Sequence, residues 1–304
     1  AGQPGASQFT KALSQLRGSR GWREIAGIFE AMRAHSVSPD ALHLNAAVSA
    51  CARGARPEQA EAWLRRMGDY ALQPDHISYS GVINAHARVG AAEQAERWLG
   101  LMMEAGLQAD SIAFSSVINA CARANAVTEA EGWLQRMLEL RVLANEVSYS
   151  SVINACAQNG EVDRAERWLE RMVLEGMGRS EVAYCSVINA CAQQGEARRA
   201  EQWLQQMLGN RMGASAVGYN SAINAFAQRG EVQGAERWLE EMLGARVQPT
   251  EVSYNSVMNA CAQLGDSERA ELWLQRMVEA GIRAEEVSYN SLINACARRG
   301  EADE

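Results

Sequence analysis

Apolar residues along this chain follow a helical spacing, and the spacing itself repeats. From Val147 to Gln158, the positions Val147, Tyr149, Val152, Ile153 and Cys156 fit one helix face better than the alternation of a strand. The helix is expected to stop at Asn159-Gly160, where a left-handed residue is favoured. A second helix is predicted from about Val162 to Glu175, with Ala165, Trp168, Leu169 and Met172 at i, i+3, i+4, i+7 as one apolar stripe. Each unit is therefore predicted to be a pair of antiparallel helices.

Shifting the chain by 35 residues superimposes Trp63, Trp98, Trp133, Trp168, Trp203, Trp238 and Trp273, each followed four residues later by a methionine. The copies are 41–75, 76–110, 111–145, 146–180, 181–215, 216–250 and 251–285, with a partial copy 286–304 and a degenerate one, 6–40, that keeps Phe9, Met32 and Pro39-Asp40. A fixed period of this size marks a solenoid, whose units bury their apolar faces only against neighbours. The expectation is an all-α solenoid of tandem helix-turn-helix repeats, a single domain over residues 1–304. Gly90, Gly195, Gly230, Gly265 and Gly300 stand where Gly160 does, with Asn125 as the other common left-handed former. Pro39, Pro74 and Pro249 fall in the connections between units, where proline interrupts no helix.

Seven cysteines and eight tryptophans change this picture little. Cys51, Cys121, Cys156, Cys191, Cys261 and Cys296 share one site of the first helix, where His86 and Phe226 stand in other copies. A site that accepts Cys, His or Phe is a packing site, and one ligand per repeat cannot converge on a tetrahedral metal. Buried free thiols are expected, with no metal and no cofactor. The Trp and Met stripe recurs in every full copy and reads as core. No nucleotide-binding glycine loop, HExxH or GxSxG is present, so catalysis is not expected. No apolar run is long enough for a membrane span. The chain starts at Ala1 without methionine and ends in EADE just after one helix, as a processed or partial piece of a longer polypeptide would.

Net charge is −8, which taken alone argues against a nucleic-acid partner. Its distribution argues the other way. The second to fourteenth residues of the nine copies hold Lys11, Arg17, Arg53, Arg88, Arg123, Arg229, Arg298 and Arg299 and no acid, a charge of +8, while the rest of the chain carries −16. If first helices are simply the buried layer, the missing acids follow, but the recurrence of Arg53, Arg88, Arg123 and Arg298 at one position does not.

The 35-residue period, the Tyr followed by Asn or Ser in VSYNSVMNACAQLG, the glycine after the first helix and the closing Pro-Asp of SPD and QPD resemble pentatricopeptide repeats. The resemblance implies a right-handed superhelix and a protein, organellar in most of the family, that binds single-stranded RNA one base per repeat. It implies that the fifth residue of each copy faces the base edge: Thr10, Asn45, Ser80, Ser115, Ser150, Cys185, Asn220, Asn255 and Asn290. The last residue assists: Asp40, Asp75, Asp110, Asn145, Ser180, Ser215, Thr250 and Glu285. The second residue wedges between bases: Ser7, Leu42, Ile77, Ile112, Val147, Val182, Val217, Val252 and Val287. Stiff apolar side chains suit that place. Arg53, Arg88, Arg123 and Arg298 match a phosphate-contacting position, which Gln158, Gln193, Gln228 and Gln263 occupy elsewhere.

Applied as resemblance, the family's code reads 5′-G-U-G-A over Thr10/Asp40, Asn45/Asp75, Ser80/Asp110 and Ser115/Asn145. Ser150/Ser180 implies a weak purine, Cys185/Ser215 has no assignment, and Asn220/Thr250 and Asn255/Glu285 imply pyrimidines. An asparagine ladder, Asn84, Asn119, Asn154, Asn189, Asn224, Asn259 and Asn294, is expected to bond between neighbouring repeats, with contact to sugars or bases as the other reading. The competing function is a scaffold subunit holding protein partners in a large organellar complex, a ribosome or an energy-transducing assembly.

Overall fold

The computed structural model describes residues 6–15, 21–210, 212 and 215–300. Arg17 and the Ser7 side chain lie outside the described residues. In chain order the helices are α1 (Ala6–Gln15), α2 (Ile25–Ala34), α3 (Ala41–Arg53), α4 (Pro57–Asp69), α5 (His76–Val89), α6 (Ala92–Glu104), α7 (Ser111–Arg123), α8 (Val127–Glu139), α9 (Glu146–Gln158), α10 (Val162–Met172), α11 (Glu181–Gln193), α12 (Ala197–Gly209), α13 (Ala216–Gln228), α14 (Val232–Gly244), α15 (Glu251–Leu264), α16 (Ser267–Glu279) and α17 (Glu286–Arg299). No strand occurs among the described residues. The odd-numbered helices open the copies and the even-numbered ones complete them, as the periodicity predicts.

The chain divides into two compact units within α9, between Ala155 and Cys156. In the first, α3 packs on α4 and α5, and α5 on α6 and α7. In the second, α11, α13, α15 and α17 lie side by side, with α12, α14 and α16 against them. The fourth residue of each first helix meets the tryptophan of its own second helix: Tyr79–Trp98, Phe114–Trp133, Tyr184–Trp203, Tyr219–Trp238 and Tyr254–Trp273, with ring centroids 6.0 to 6.3 Å apart. Met67, Met102, Met137, Met172, Met207, Met242 and Met277 are fully buried. Each such side chain contributes roughly 1.5–3 kcal/mol by leaving water.

Both helices of a copy end on a left-handed residue. The first does so at Gly90, Asn125, Gly160, Gly195, Gly230, Gly265 and Gly300, and at Ala55 as well. The second does so at Ser36, Ala71, Gly106, Arg141, Gly176, Arg246 and Gly281, a regularity hidden in sequence because glycine holds only some of these sites. The helix expected to reach Glu175 is α only to Met172 and continues as a wider turn over Val173–Met177.

Side chains also cross from one copy to the next. The indole N–H of Trp98 donates to Glu61 (3.1 Å), Trp133 to Glu96 (2.7 Å), Trp203 to Glu166 (2.6 Å) and Trp273 to Glu236 (2.8 Å), always 37 residues back. The Cys/His site of α5, α7 and α11 reaches the same carboxylates: His86 Nε2 lies 2.8 Å from Glu61, Cys121 Sγ 3.3 Å from Glu96 and Cys191 Sγ 3.8 Å from Glu166. The site expected to be pure packing is thus partly polar. Some of the acid counted outside the first helices is internal, since Glu61, Glu96, Glu166 and Glu236 are half-buried and Glu201 is buried. Phe226 fits this site because Gly234 faces its ring, where a β-carbon would collide.

Trp238 is buried and its indole N–H has no partner, which supplies an internal control. Trp133→Phe removes a hydrogen bond to a carboxylate, whereas Trp238→Phe removes an unsatisfied buried donor. Chemical denaturation should show the first variant to be less stable than the second by about 1.5 kcal/mol; equal losses would show that the indole–carboxylate ties add nothing.

Candidate nucleic-acid interface

At about 100° per residue, the second, fifth, ninth and thirteenth positions of a first helix fall within an arc of about 80°. The residues that sequence picks out by role therefore share one helix face. Its described second residues are exposed, from 46% at Ile77 to 63% at Val182, with Leu42, Ile112, Val147, Val217, Val252 and Val287 between them. Apolar side chains this open, one per repeat, are unusual in a chain whose other helical apolar residues are mostly buried.

The fifth residues lie deeper. Asn45, Ser80 and Ser115 are buried, Thr10, Ser150, Cys185, Asn220 and Asn255 are half-buried, and Asn290 is exposed. Three pairs with the last residue of the same copy are seen. Asn45 Nδ2 donates to both oxygens of Asp75 at 3.1 Å, Ser115 Oγ to Asn145 Oδ1 at 3.3 Å and Asn220 Nδ2 to Thr250 Oγ1 at 3.2 Å. These are the fifth and last residues that the resemblance couples.

The last residue has a second task that the sequence reading missed, because it is also the N-cap of the next first helix. Asp40 accepts from the backbone N–H of His43 (3.0 Å), Asp75 from Ser78 (2.9 Å), Asp110 from Ala113 (2.8 Å) and Asn145 from Ser148 (2.9 Å). For Asp75, burial works against the charged form, but the N–H and hydroxyl of Ser78 and the Asn45 amide outweigh it and hold the pKa below the ordinary carboxylate range. Burial likewise opposes ionisation of Asp40, and its bonds to His43 overcome that. In the second unit, Ser180 and Ser215 accept no such cap bond, while at Thr250 and Glu285 the next serine's hydroxyl takes the backbone N–H instead, at 2.9 and 3.3 Å.

A further position joins the site that no motif announced, the third residue of the following copy. The Ser78 hydroxyl donates to Asn45 Oδ1 at 2.6 Å, Ser253 to Asn220 Oδ1 at 2.6 Å and Ser288 to Asn255 Oδ1 at 2.8 Å, and Ser148 lies 2.7 Å from the Ser115 hydroxyl. After the degenerate first copy His43 takes this place, 3.1 Å from Thr10 Oγ1 and 2.5 Å from Asp40 Oδ1. The only sequence signal was a serine recurring between the exposed second residue and the buried aromatic.

The arginines are exposed or half-buried but partly engaged. Arg123 donates to the carbonyl of Arg88 at 3.1 Å and Arg298 to that of Gln263 at 2.9 Å, each capping the helix one copy back. Arg88 is exposed and makes no ion pair among the described residues. Arg229 and Arg299, counted as positive charge on the first helices, pair with Glu231 (2.7 Å) and Glu268 (3.1 Å). The positive excess on this face is smaller than the sequence count.

Six of the seven asparagines of the ladder depart from the expectation. Asn84, Asn119, Asn189, Asn224, Asn259 and Asn294 make no hydrogen bond to a neighbouring repeat among the described residues, and all are half-buried or exposed. The ninth residue lies midway around the arc, so these amides stand open on the same face as the second residues.

Three comparisons place the chain. The family description "Pentacotripeptide-repeat region of PRORP" matches residues 104–280, "Pentatricopeptide repeat domain" matches 63–126 and "PPR repeat" matches 287–304. The chain is a pentatricopeptide repeat protein. No curated protein sequence matches it. Among solved structures it is similar to the pentatricopeptide repeat protein PPR10 from maize, at 22% identity over 99% of this chain and 48% of that one, with a TM-score of 0.61. PPR10 in complex with an 18-nt psaJ RNA element gives 0.58 at 20% identity, covering 99% of this chain and 49% of that one. Nuclear proteinaceous RNase P 2 from A. thaliana gives 0.54 at 15% identity, over 60% of this chain and 41% of that one. The pentatricopeptide chain thus spans about half the length of the PPR10 chain. At these identities the likeness is one of fold.

Among the described residues no group of His, Cys, Asp and Glu is placed to hold a metal, and no helix is long and apolar enough to cross a membrane. Burial pushes the Cys51 thiol up to about 11 and those of Cys191 and Cys261 to about 12, with nearby carboxylates adding to the shift at the latter two. At pH 7.5 a thiol reagent should label half-buried Cys296 and Cys185 first, and the five buried cysteines only on unfolding; rapid labelling of all seven would contradict the packing.

The double task of Asp75 gives a second test. Asp75→Ala should lower stability by about 1 kcal/mol, the worth of an N-cap, while Asp75→Asn, which keeps an accepting oxygen as Asn145 does in its own copy, should lose only the part that depends on the carboxylate's charge. Because the folded pKa is depressed, the carboxylate's contribution is present above the ordinary range and lost as pH falls through the lower folded value. Melts of the parent and of Asp75→Asn should therefore converge in acid; a constant gap down to pH 2 would rule the linkage out.

Proposed function

We propose that the face carrying the second, fifth, ninth and thirteenth residues binds single-stranded RNA, one base per copy. One observation carries the reading: an exposed apolar side chain and an oriented polar pair alternate along this face at a fixed step. Bases stack on apolar side chains regardless of identity, and hydrogen-bonding edges then distinguish them. A base held between Leu42 and Ile77 presents its edge to Asn45 and Asp75. The Asp75 carboxylate is acceptor-only and suits the ring N–H of uracil, while an Asn45 N–H suits a uracil carbonyl. Thr10/Asp40 and Ser80/Asp110 suit guanine on each side, and Ser115/Asn145 suits adenine.

The core sequence read is 5′-G-U-G-A. The second unit reads more loosely, pyrimidines at Asn220/Thr250 and Asn255/Glu285, with no choice assigned to Cys185/Ser215. Arg53, Arg88, Arg123 and Arg298 contact phosphates. The arginines that cap a neighbouring helix keep further N–H groups for this task. The protein guides processing, stability or translation of an organellar transcript, as a single solenoid without catalysis of its own. What supports this reading is family membership together with the open face; PPR10, of the same fold, has been solved with an 18-nt RNA element.

Selection from a randomised single-stranded RNA pool at two salt concentrations tests it. GUGA-like sequences should be enriched, the enrichment should be lost on Asn45→Ser with Asp75→Asn, and the log–log salt slope should be about −2 to −4. No enrichment even at low salt would instead favour a scaffold that lodges protein partners on the exposed apolar row.

A further inference from the structure

The third residue of each copy stands outside the pairs assigned to base reading, and after every asparagine it is a serine. All three asparagines at the fifth position with a following copy, Asn45, Asn220 and Asn255, receive a hydroxyl from Ser78, Ser253 and Ser288 on Oδ1. Among the shorter fifth residues Ser115 still meets Ser148, but at two others the partner is missing: Ala113 follows Ser80, whose buried hydroxyl has no partner, and Gly218 lies against Cys185.

We propose that this third residue is a positioning residue for base choice, a latch that holds the asparagine amide of the preceding copy in one of its two flips. The proposal rests on the RNA-reading face described above. A side-chain amide turned over exchanges a donor for an acceptor, so its flip decides which base edge it suits. At Asn45 two neighbours act together. Asp75 accepts from Nδ2 at 3.1 Å, and the Ser78 hydroxyl, nearest to Oδ1 at 2.6 Å, gives that oxygen its proton. The flipped amide would set Oδ1 against the carboxylate, acceptor to acceptor. Ser78 is held for this task, because its oxygen also accepts the Asp75 backbone N–H at 3.1 Å. One N–H and one lone pair of the amide are then left for the base, in a fixed arrangement that suits uracil's carbonyl.

Without the hydroxyl, Asn45 loses one of its two orienting bonds and its choice against cytosine weakens. Affinities of the full chain for four RNAs differing only at the second letter of GUGA test this, with melting temperatures measured in parallel. The parent should prefer U. Ser78→Ala should cut the U-over-C ratio roughly three- to tenfold, the worth of one neutral hydrogen bond, and leave the choice at the third letter unchanged. Ser78→Thr, which keeps the hydroxyl, should restore it. Ala113→Ser, which offers Ser80 the partner that Ser148 gives Ser115, should sharpen the third-letter choice by a similar factor. An unchanged U-over-C ratio with a lower melting temperature would make Ser78 a helix cap only. Equal weakening on all four RNAs would also overturn the latch. A parent blind to the second letter would remove the reading on which the latch rests, and the latch with it.

Discussion

Side-chain hydrogen bonds that cross from one repeat to the next, the indole N–H to the glutamate 37 residues back above all, hold the rest of the structure in register. Apolar burial alone makes helix pairs stack, but a greasy interface of Leu, Met and Ala tolerates sliding and rotation. A buried or half-buried carboxylate left without its donor is costly, so each Trp–Glu pair penalises any stacking but one. Everything on the first-helix face inherits that registration. Asn45 meets Asp75 across 30 residues, Ser78 meets Asn45 across 33, and Arg123 reaches the Arg88 carbonyl across 35, because the helices are fixed relative to one another.

The same constraint explains why single residues carry two tasks. Asp75 caps a helix and accepts from Asn45; Ser78 completes the cap and donates to the Asn45 amide oxygen; the exposed Arg123 caps a carbonyl one copy back. A repeat of 35 residues spends most of its positions on packing, so polar groups on the open face double as structural ties. The exposed second residues are the exception. Leu42, Ile77 and Val182 have no structural return for their exposure, which is why they weigh so heavily in assigning the face to a ligand.

Much of this was legible in the sequence. Period, helix pairing and the buried Met and Cys sites follow from apolar spacing and glycine, and these are what burial dictates. The ties were not legible for a physical reason. Glu61 and Trp98, or Asn45 and Ser78, belong to different copies, and no local pattern says which way a polar side chain turns. The Ala-Glu-x-Trp signature recurring in every full copy was the available clue. The asparagine ladder misled in the opposite sense. Recurrence suggested an inter-repeat bond, whereas Asn189 and Asn259 are exposed and make none among the described residues. Periodicity identifies that a position matters, and only the packing shows to what.

Photo-crosslinking most directly tests the central claim, that bases stack one per copy between second residues of the first helices. An RNA containing GUGA with 4-thiouridine as its only photoreactive base should yield peptides modified within α3 or α5, at or beside Leu42 and Ile77. Adducts confined to α4 or α6, or spread evenly over the chain, would contradict it.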